Sequence, residues 1–133
     1  METILIVDDE MSILELYGRT LKAEGFKVLT AASTVDANKI LYAEHIDCVV
    51  LDMKMPHVHG CSIYRAIRLF HPETKVIVNS SYPLEEQKTV INDADGYFEK
   101  SEGIGLFMDQ LHHVLRAKPL MDEWLMEEDL LLV

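Results

Sequence analysis

The chain is predicted to fold as an α/β domain, a parallel sheet of five strands with helices on both faces. Three observations lead there. Short apolar runs rich in β-branched residues, such as Thr3–Val7 and Cys48–Leu51, are too short for typical helices and have the character of strands buried on both faces. Stretches with helical periodicity follow them, and the alternation repeats five times. Each right-handed crossover must then lie over the sheet, which makes the strands parallel and points all their carboxyl ends one way.

Taken in order, TILIV over 3–7 is the first strand and ends in Asp8, Asp9 and Glu10. From Met11 to Glu24 the apolar positions Ile13, Leu14, Tyr17 and Leu21 recur at helical spacing, with Gly25 where a C-terminal cap belongs. Phe26–Ala31 reads as the second strand. Ser33 with Asp36 three residues on resembles a capping box and opens a helix to about Glu44. The third strand, Cys48–Leu51, stops at Asp52. A loop from Met53 to Gly60 holds Pro56, His57 and His59, and the next helix carries Ile63, Ile67 and Phe70 on one face. Lys75–Val78 is the fourth strand. Ser80 to Pro83 form its loop, and Pro83 suits the first turn of a fourth helix that Asn92–Gly96 terminates. Tyr97 and Phe98 make a short fifth strand, and Leu106, Leu111, Val114 and Leu115 stripe a last helix that Pro119 ends.

Composition narrows the function classes. The 133 residues are 49% hydrophobic, enough to close the core of one domain, and carry a net charge of −11. That charge repels nucleic acid and anionic membrane, so no direct nucleic-acid or membrane partner is expected. No window approaches the roughly 18–20 apolar residues of a bilayer span. The N-terminus lacks a basic region and a cleavage site, and Cys48 and Cys61 read as reduced thiols, so a cytoplasmic location is expected. Residues 1–118 form the predicted domain. Residues 119–133 form an acidic amphipathic tail that could extend the last helix, dock on its own domain or another molecule, or be the remnant of a longer chain.

The topology brings Asp8, Asp9, Asp52, Ser80 and Lys100 to one edge, where open parallel sheets bind ligands. Each has an ordinary explanation alone: a turn-starting Asp52, acids before a helix, a loop serine, a solvated lysine. Together at successive strand ends they are hard to ascribe to chance. Clustered carboxylates need retained protons or a cation, and hard oxygen ligands favour Mg2+. Asp52 is then the candidate nucleophile towards a phosphoryl group, with the metal and Lys100 balancing charge and the Ser80 hydroxyl donating a hydrogen bond.

The motifs ILIVDDE, VVLDMKMPHVHG, VIVNSS and DGYFEK resemble those of a response regulator receiver domain, the phosphoacceptor of two-component signalling, over about residues 2–117. The resemblance implies a doubly wound, flavodoxin-like five-stranded sheet of order 2-1-3-4-5. It implies phosphorylation of Asp52 by a sensor histidine kinase or phosphotransfer protein. Mg2+ would be held by Asp9, Asp52 and the Lys54 main-chain carbonyl, with Asp8 acting through water. Ser80 and Tyr97 would be the switch pair that alters affinity for a downstream effector or a second copy in a phosphorylation-linked homodimer. Lys54 and Tyr82 correspond to the variable positions flanking the phosphoryl group, where bulk would slow hydrolysis. No catalysis beyond its own phosphorylation and dephosphorylation is implied.

The chain departs from the family in having Ser101, not proline, after Lys100. A cis peptide before a non-proline residue costs about 2.5–4 kcal/mol, so the bond is expected to be trans with a rearranged loop, or cis and strained. The segment from Ser80 to Lys100 is also slightly short. The alternatives are a pseudo-receiver that binds partners without phosphorylation and an aspartyl-nucleophile phosphohydrolase. The haloacid-dehalogenase type of the latter needs a second Asp where Lys54 stands. A flavin site would need a phosphate cradle in place of Asp8–Glu10. Solvated loop residues are a commoner reading of His57 and His59 than a transition-metal site.

Overall fold

The computed structural model describes residues 1–55 and 58–116, with backbone alone for 54–55 and 58–61. Pro56, His57, Pro119 and the 119–133 tail lie outside the described residues, as do the side chains of Lys54 and His59.

Five parallel strands make the sheet: β1 (Thr3–Val7), β2 (Lys27–Ala31), β3 (Cys48–Leu51), β4 (Lys75–Ser80) and β5 (Gly96–Glu99). Their order is 2-1-3-4-5, as the resemblance implied. Every residue of β1 and β3 is buried, because both are central and covered on both faces, hence their unbroken apolar runs. The pleat splits each run between two cores. Ile4, Ile6, Cys48, Val50 and Ile77 pack under α1 (Met11–Ala23) and α5 (Ile104–Arg116). Leu5, Val7, Val49, Leu51, Val76 and Val78 pack under α2 (Thr34–Ala43) and α3 (Gly60–Phe70).

The caps follow the expected residues. Gly25 takes φ +98° after α1, and the Ser33 hydroxyl accepts the Asp36 N–H at 3.2 Å to start α2. β4 runs two residues further than its apolar run, because Asn79 and Ser80 still pair with Phe98 and Glu99. The stretch read as a loop after Asp52 contains a short antiparallel ribbon, Lys54–Met55 against Val58–His59. Among the described residues no peptide is cis, so Lys100–Ser101 is trans and enters a 3-10 turn over Lys100–Glu102, closed by Gly103 at φ +90°.

Two apolar assignments change. Phe70 is exposed; it lines a surface groove of about 550 Å³ with Leu41, Tyr42 and Ala66, on the side of α3 towards α2, while Ile67 in the same turn packs into the core. Leu106 is also exposed, and the buried stripe of α5 is Phe107, Met108, Leu111 and Val114. Three consecutive apolar residues at 106–108 left the phase of that helix open to misreading. The fourth helix is short: α4 covers Leu84–Val90, with Pro83 as its N-cap.

Arg68 fastens the edge opposite the acidic strand ends. Its Nε donates to the Tyr64 hydroxyl (2.8 Å), one terminal nitrogen to the Thr74 carbonyl (3.1 Å), and the other to the Asp93 carbonyl (3.3 Å) and Asp95 Oδ2 (2.9 Å). Tyr64 donates to Asp93 at 2.7 Å, and burial pushes its phenol up to about 12. A lysine cannot reproduce this fork. Arg68→Lys is expected to cost about 1.5–3 kcal/mol, the range for lost hydrogen bonds to a charged group, read by urea denaturation.

Candidate functional site

Strand register assembles the site. Val7, Leu51 and Val78 lie side by side, and Tyr97 pairs with Val78. Asp8 and Asp52 are therefore the first residues beyond adjacent strand ends, with Ser80 at the end of β4 and Lys100 just past β5. Backbone bonds continue the ladder to hold both acids: Asp8 N–H donates to Ala31 O and Asp52 N–H to Val7 O, each at 3.0 Å.

Lys100 joins these groups. Its Nζ lies 2.8 Å from Asp8 Oδ2, 2.9 Å from Glu10 Oε1 and 3.4 Å from Asp52 Oδ2. Asp8 and Asp52 are each 2% exposed, so each carboxylate has given up most of its hydration. Burial pushes Asp8 above its ordinary value, against the lowering effect of its bonds to Lys100 and the Glu10 N–H. Burial alone would push Lys100 down, but its hydrogen bonds to Asp8 and Glu10 and the Asp52 charge outweigh it, so the ammonium is held above its usual range. Asp8 Oδ1 also accepts the Glu10 N–H at 2.9 Å in the turn before α1, whose N-cap is Glu10 with no side-chain cap bond.

Asp8, Asp9, Glu10 and Asp52 each offer a carboxylate oxygen, and these oxygens lie within 4.8 Å of one another. This all-oxygen donor set, open at exposed Asp9 and Glu10, fits a hard divalent cation. Glu10 was not singled out from sequence, where it reads as the last acid of a helix start. Lys54 opens the ribbon two residues after Asp52.

The remaining predicted residues sit around α4. Ser80 is fully buried and its Oγ accepts the Tyr82 N–H at 3.3 Å, while Tyr82 is half-buried. The Tyr97 hydroxyl is bonded at the end of α4: its half-buried ring packs towards Ile91 and Ala94, its hydroxyl donating to Ile91 O and accepting the Ala94 N–H (3.1 Å). Two buried amides escaped the sequence reading. Gln87 lies under α4, and Asn79 lies near Tyr17 without a well-formed hydrogen bond of its own among the described residues. Each is a polar residue where helix or strand periodicity calls for an apolar one, which was the available signal.

Among the described residues no helix is long and apolar enough to cross a membrane. The family described as response regulator receiver domain matches residues 4–112. Sporulation initiation phosphotransferase F of Bacillus subtilis is 35% identical over 81 residues, covering 61% of this chain and 65% of that protein. The transcriptional regulatory protein GlrR of Escherichia coli is 32% identical over 79 residues; the match covers 59% of this chain but only 18% of that relative, so the chain spans a small part of such proteins. The response regulator protein TrrA of Thermotoga maritima, solved in complex with Mg2+-BeF, superposes with a TM-score of 0.78 at 30% identity, over 86% of this chain and 99% of that one. TrrA has also been solved in complex with the histidine kinase ThkA.

The raised Asp8 gives a signed pH dependence. An acid whose folded value is raised destabilises the fold progressively as pH rises from its unfolded value to its folded one, and the penalty is complete above the folded value. Asp8→Asn is therefore expected to stabilise the chain at pH 7, with the gain shrinking as pH falls towards 4. Lys100→Met, which strands two buried carboxylates, is expected to cost about 3–5 kcal/mol at pH 7 and less in acid. Urea denaturation across pH 4–8 reads both.

Proposed function

The chain belongs to the response regulator receiver domain family, and from that premise we propose that it is a phosphoacceptor switch whose Asp52 takes a phosphoryl group from a histidine kinase or phosphotransfer protein. The observation that carries the proposal is the convergence of Asp8, Asp52 and the Lys100 ammonium within 2.8–3.4 Å contacts at one strand-end edge. Residues 1–118 act as the receiver unit and 119–133 as a tail of separate role. The work is cytoplasmic, and the output is altered affinity for an effector or for a second copy.

In the transfer, an Asp52 carboxylate oxygen attacks the phosphorus of phosphohistidine. The P–N bond breaks, the donor nitrogen leaves with the electron pair, and an aspartyl phosphate forms. Asp9, Asp52 and the Lys54 carbonyl, with Asp8 acting through water, would hold Mg2+, which when bound neutralises charge on the transferring oxygens. Lys100 already lies 3.4 Å from Asp52 and offers the second positive charge. The Ser80 hydroxyl, now accepting from Tyr82, turns to donate to a phosphoryl oxygen. Tyr97 follows by giving up Ile91 and Ala94 and turning inward, which reshapes the α4–β5–α5 face. Beyond this self-modification the chain has no substrate.

Incubation with acetyl phosphate and Mg2+ is expected to give a phosphoryl adduct by mass spectrometry that is absent from Asp52→Asn. An unmodified wild type would leave the pseudo-receiver reading in its place. Lys54 and Tyr82 stand at the sequence positions that flank the phosphoryl group in the family; replacing both by alanine is expected to speed dephosphorylation severalfold, measured as decay of the adduct after the donor is removed.

A further inference from the structure

We propose that Gln87 is a positioning residue for this switch: its buried side-chain amide clamps the Ser80–Tyr82 turn to β5, so that a displacement of Ser80 carries the edge strand with it. The trigger rests on the phosphoacceptor reading, whereas the clamp stands on geometry.

Gln87 is fully buried in the middle of α4. Its Nε2 donates to Tyr82 O at 2.7 Å and to Phe98 O at 3.0 Å, and lies 3.4 Å from Ser80 O. One NH2 group thus gathers carbonyls from the end of β4, from the turn beyond it and from β5. Two protons cannot serve three acceptors equally, and the longest contact falls on Ser80, the residue that must move. The amide orientation is forced, since turning it over would set Oε1 against three carbonyl oxygens. That leaves Oε1 buried with no hydrogen-bond partner among the described residues.

A buried acceptor left unpaired destabilises, and Leu or Met would bury the same volume without it. Gln87 and, one turn on, Ile91 are buried while Leu84 is exposed, so Gln87 fills an enclosed position that suits an apolar residue. An amide kept there against local preference points to what its donors do. The other hydrogen bonds of α4 run to β5: the Leu84 N–H donates to Glu99 Oε1 at 2.9 Å, and Tyr97 holds the Ile91 carbonyl. Gln87 adds the link to the Ser80 turn.

Amide hydrogen exchange tests the clamp. In the unsubstituted chain, residues 80–83 and 96–99 are expected to share one opening event. In Gln87→Met, which keeps the volume and lacks the donors, both segments should exchange about tenfold faster or more while β1 and β3 keep their protection. With acetyl phosphate and Mg2+, exchange at 96–99 should change in wild type, whereas molecules of Gln87→Met carrying the Asp52 adduct should change at 80–83 alone. If Gln87→Met does not fold, Gln87→Glu replaces it: its carboxylate would face the same carbonyls at neutral pH, and protection should recover as acid protonates it. Independent opening of the two segments in wild type, a loss of protection spread evenly over all strands, or an undiminished response at 96–99 would each overturn the proposal. If wild type takes no adduct, the phosphoacceptor reading fails, and the exchange measured without phosphate still decides the clamp.

Discussion

One ammonium held among buried carboxylates is the interaction on which the site depends. Lys100 leaves β5 and crosses the end of β4 to reach Asp52 beyond β3 and Asp8 beyond β1. That reach requires β1 and β3 to be adjacent and central, so that two acids lose water side by side. The sheet order is thus an electrostatic requirement as much as a packing solution. Two carboxylates at 2% exposure would repel and retain protons without a cation, and the lysine is in turn kept charged by the acids it neutralises. The same arrangement leaves Asp9 and Glu10 exposed at the mouth, where a divalent cation would add the positive charge that a phosphoryl group needs.

How much of this was legible follows from what each signal measures. Periodicity reports burial, so the doubly covered β1 and β3 were read to the residue, and their acidic ends located the edge. Where several apolar residues stand together, periodicity cannot say which faces inward. Leu106 was chosen over Phe107 for that reason, and Phe70 because a helical wheel does not show where the sheet beneath it stops. The site acids and Lys100 were legible because topology converts strand ends into neighbours. Their pairing was not, because a Glu10–Lys100 contact spans 90 positions and has no local trace. The loop after Lys100 shows the limit of argument by cost: the expense of a non-proline cis bond predicted trans or strain, and the chain is trans.

The buried amides expose another limit. A glutamine in a short helix looks like surface, and only its spacing from the buried Ile91 marks it as inward. Its partners are main-chain carbonyls, which carry no sequence signature at all. The same holds for Gln110 on α5, whose Nε2 donates to Tyr97 O at 2.8 Å. Edge strand β5 therefore receives one side-chain amide from each face, Gln87 to Phe98 O and Gln110 to Tyr97 O. Exposed edges are liabilities that folds commonly cover, and here helices cover this one with polar links.

That choice of links bears on what can move. α4 has seven residues, well short of the roughly 12–15 at which an isolated helix becomes even marginal, so its place is set by what it is tied to. Its ties are the Glu99 carboxylate, the Gln87 amide and the Tyr97 hydroxyl, each a hydrogen bond that can be exchanged for another without opening the core. By contrast β1 and β3, which carry the acids, are fixed by apolar packing on both faces and cannot shift without leaving voids. The molecule thus puts its charge-bearing residues on its least deformable strands, and fastens α4 and edge strand β5 by hydrogen bonds beside the packing of Ile91 and Phe98. A change of charge at Asp52 can find relief at the Ser80 turn and in what is bonded to it far more readily than in the central sheet.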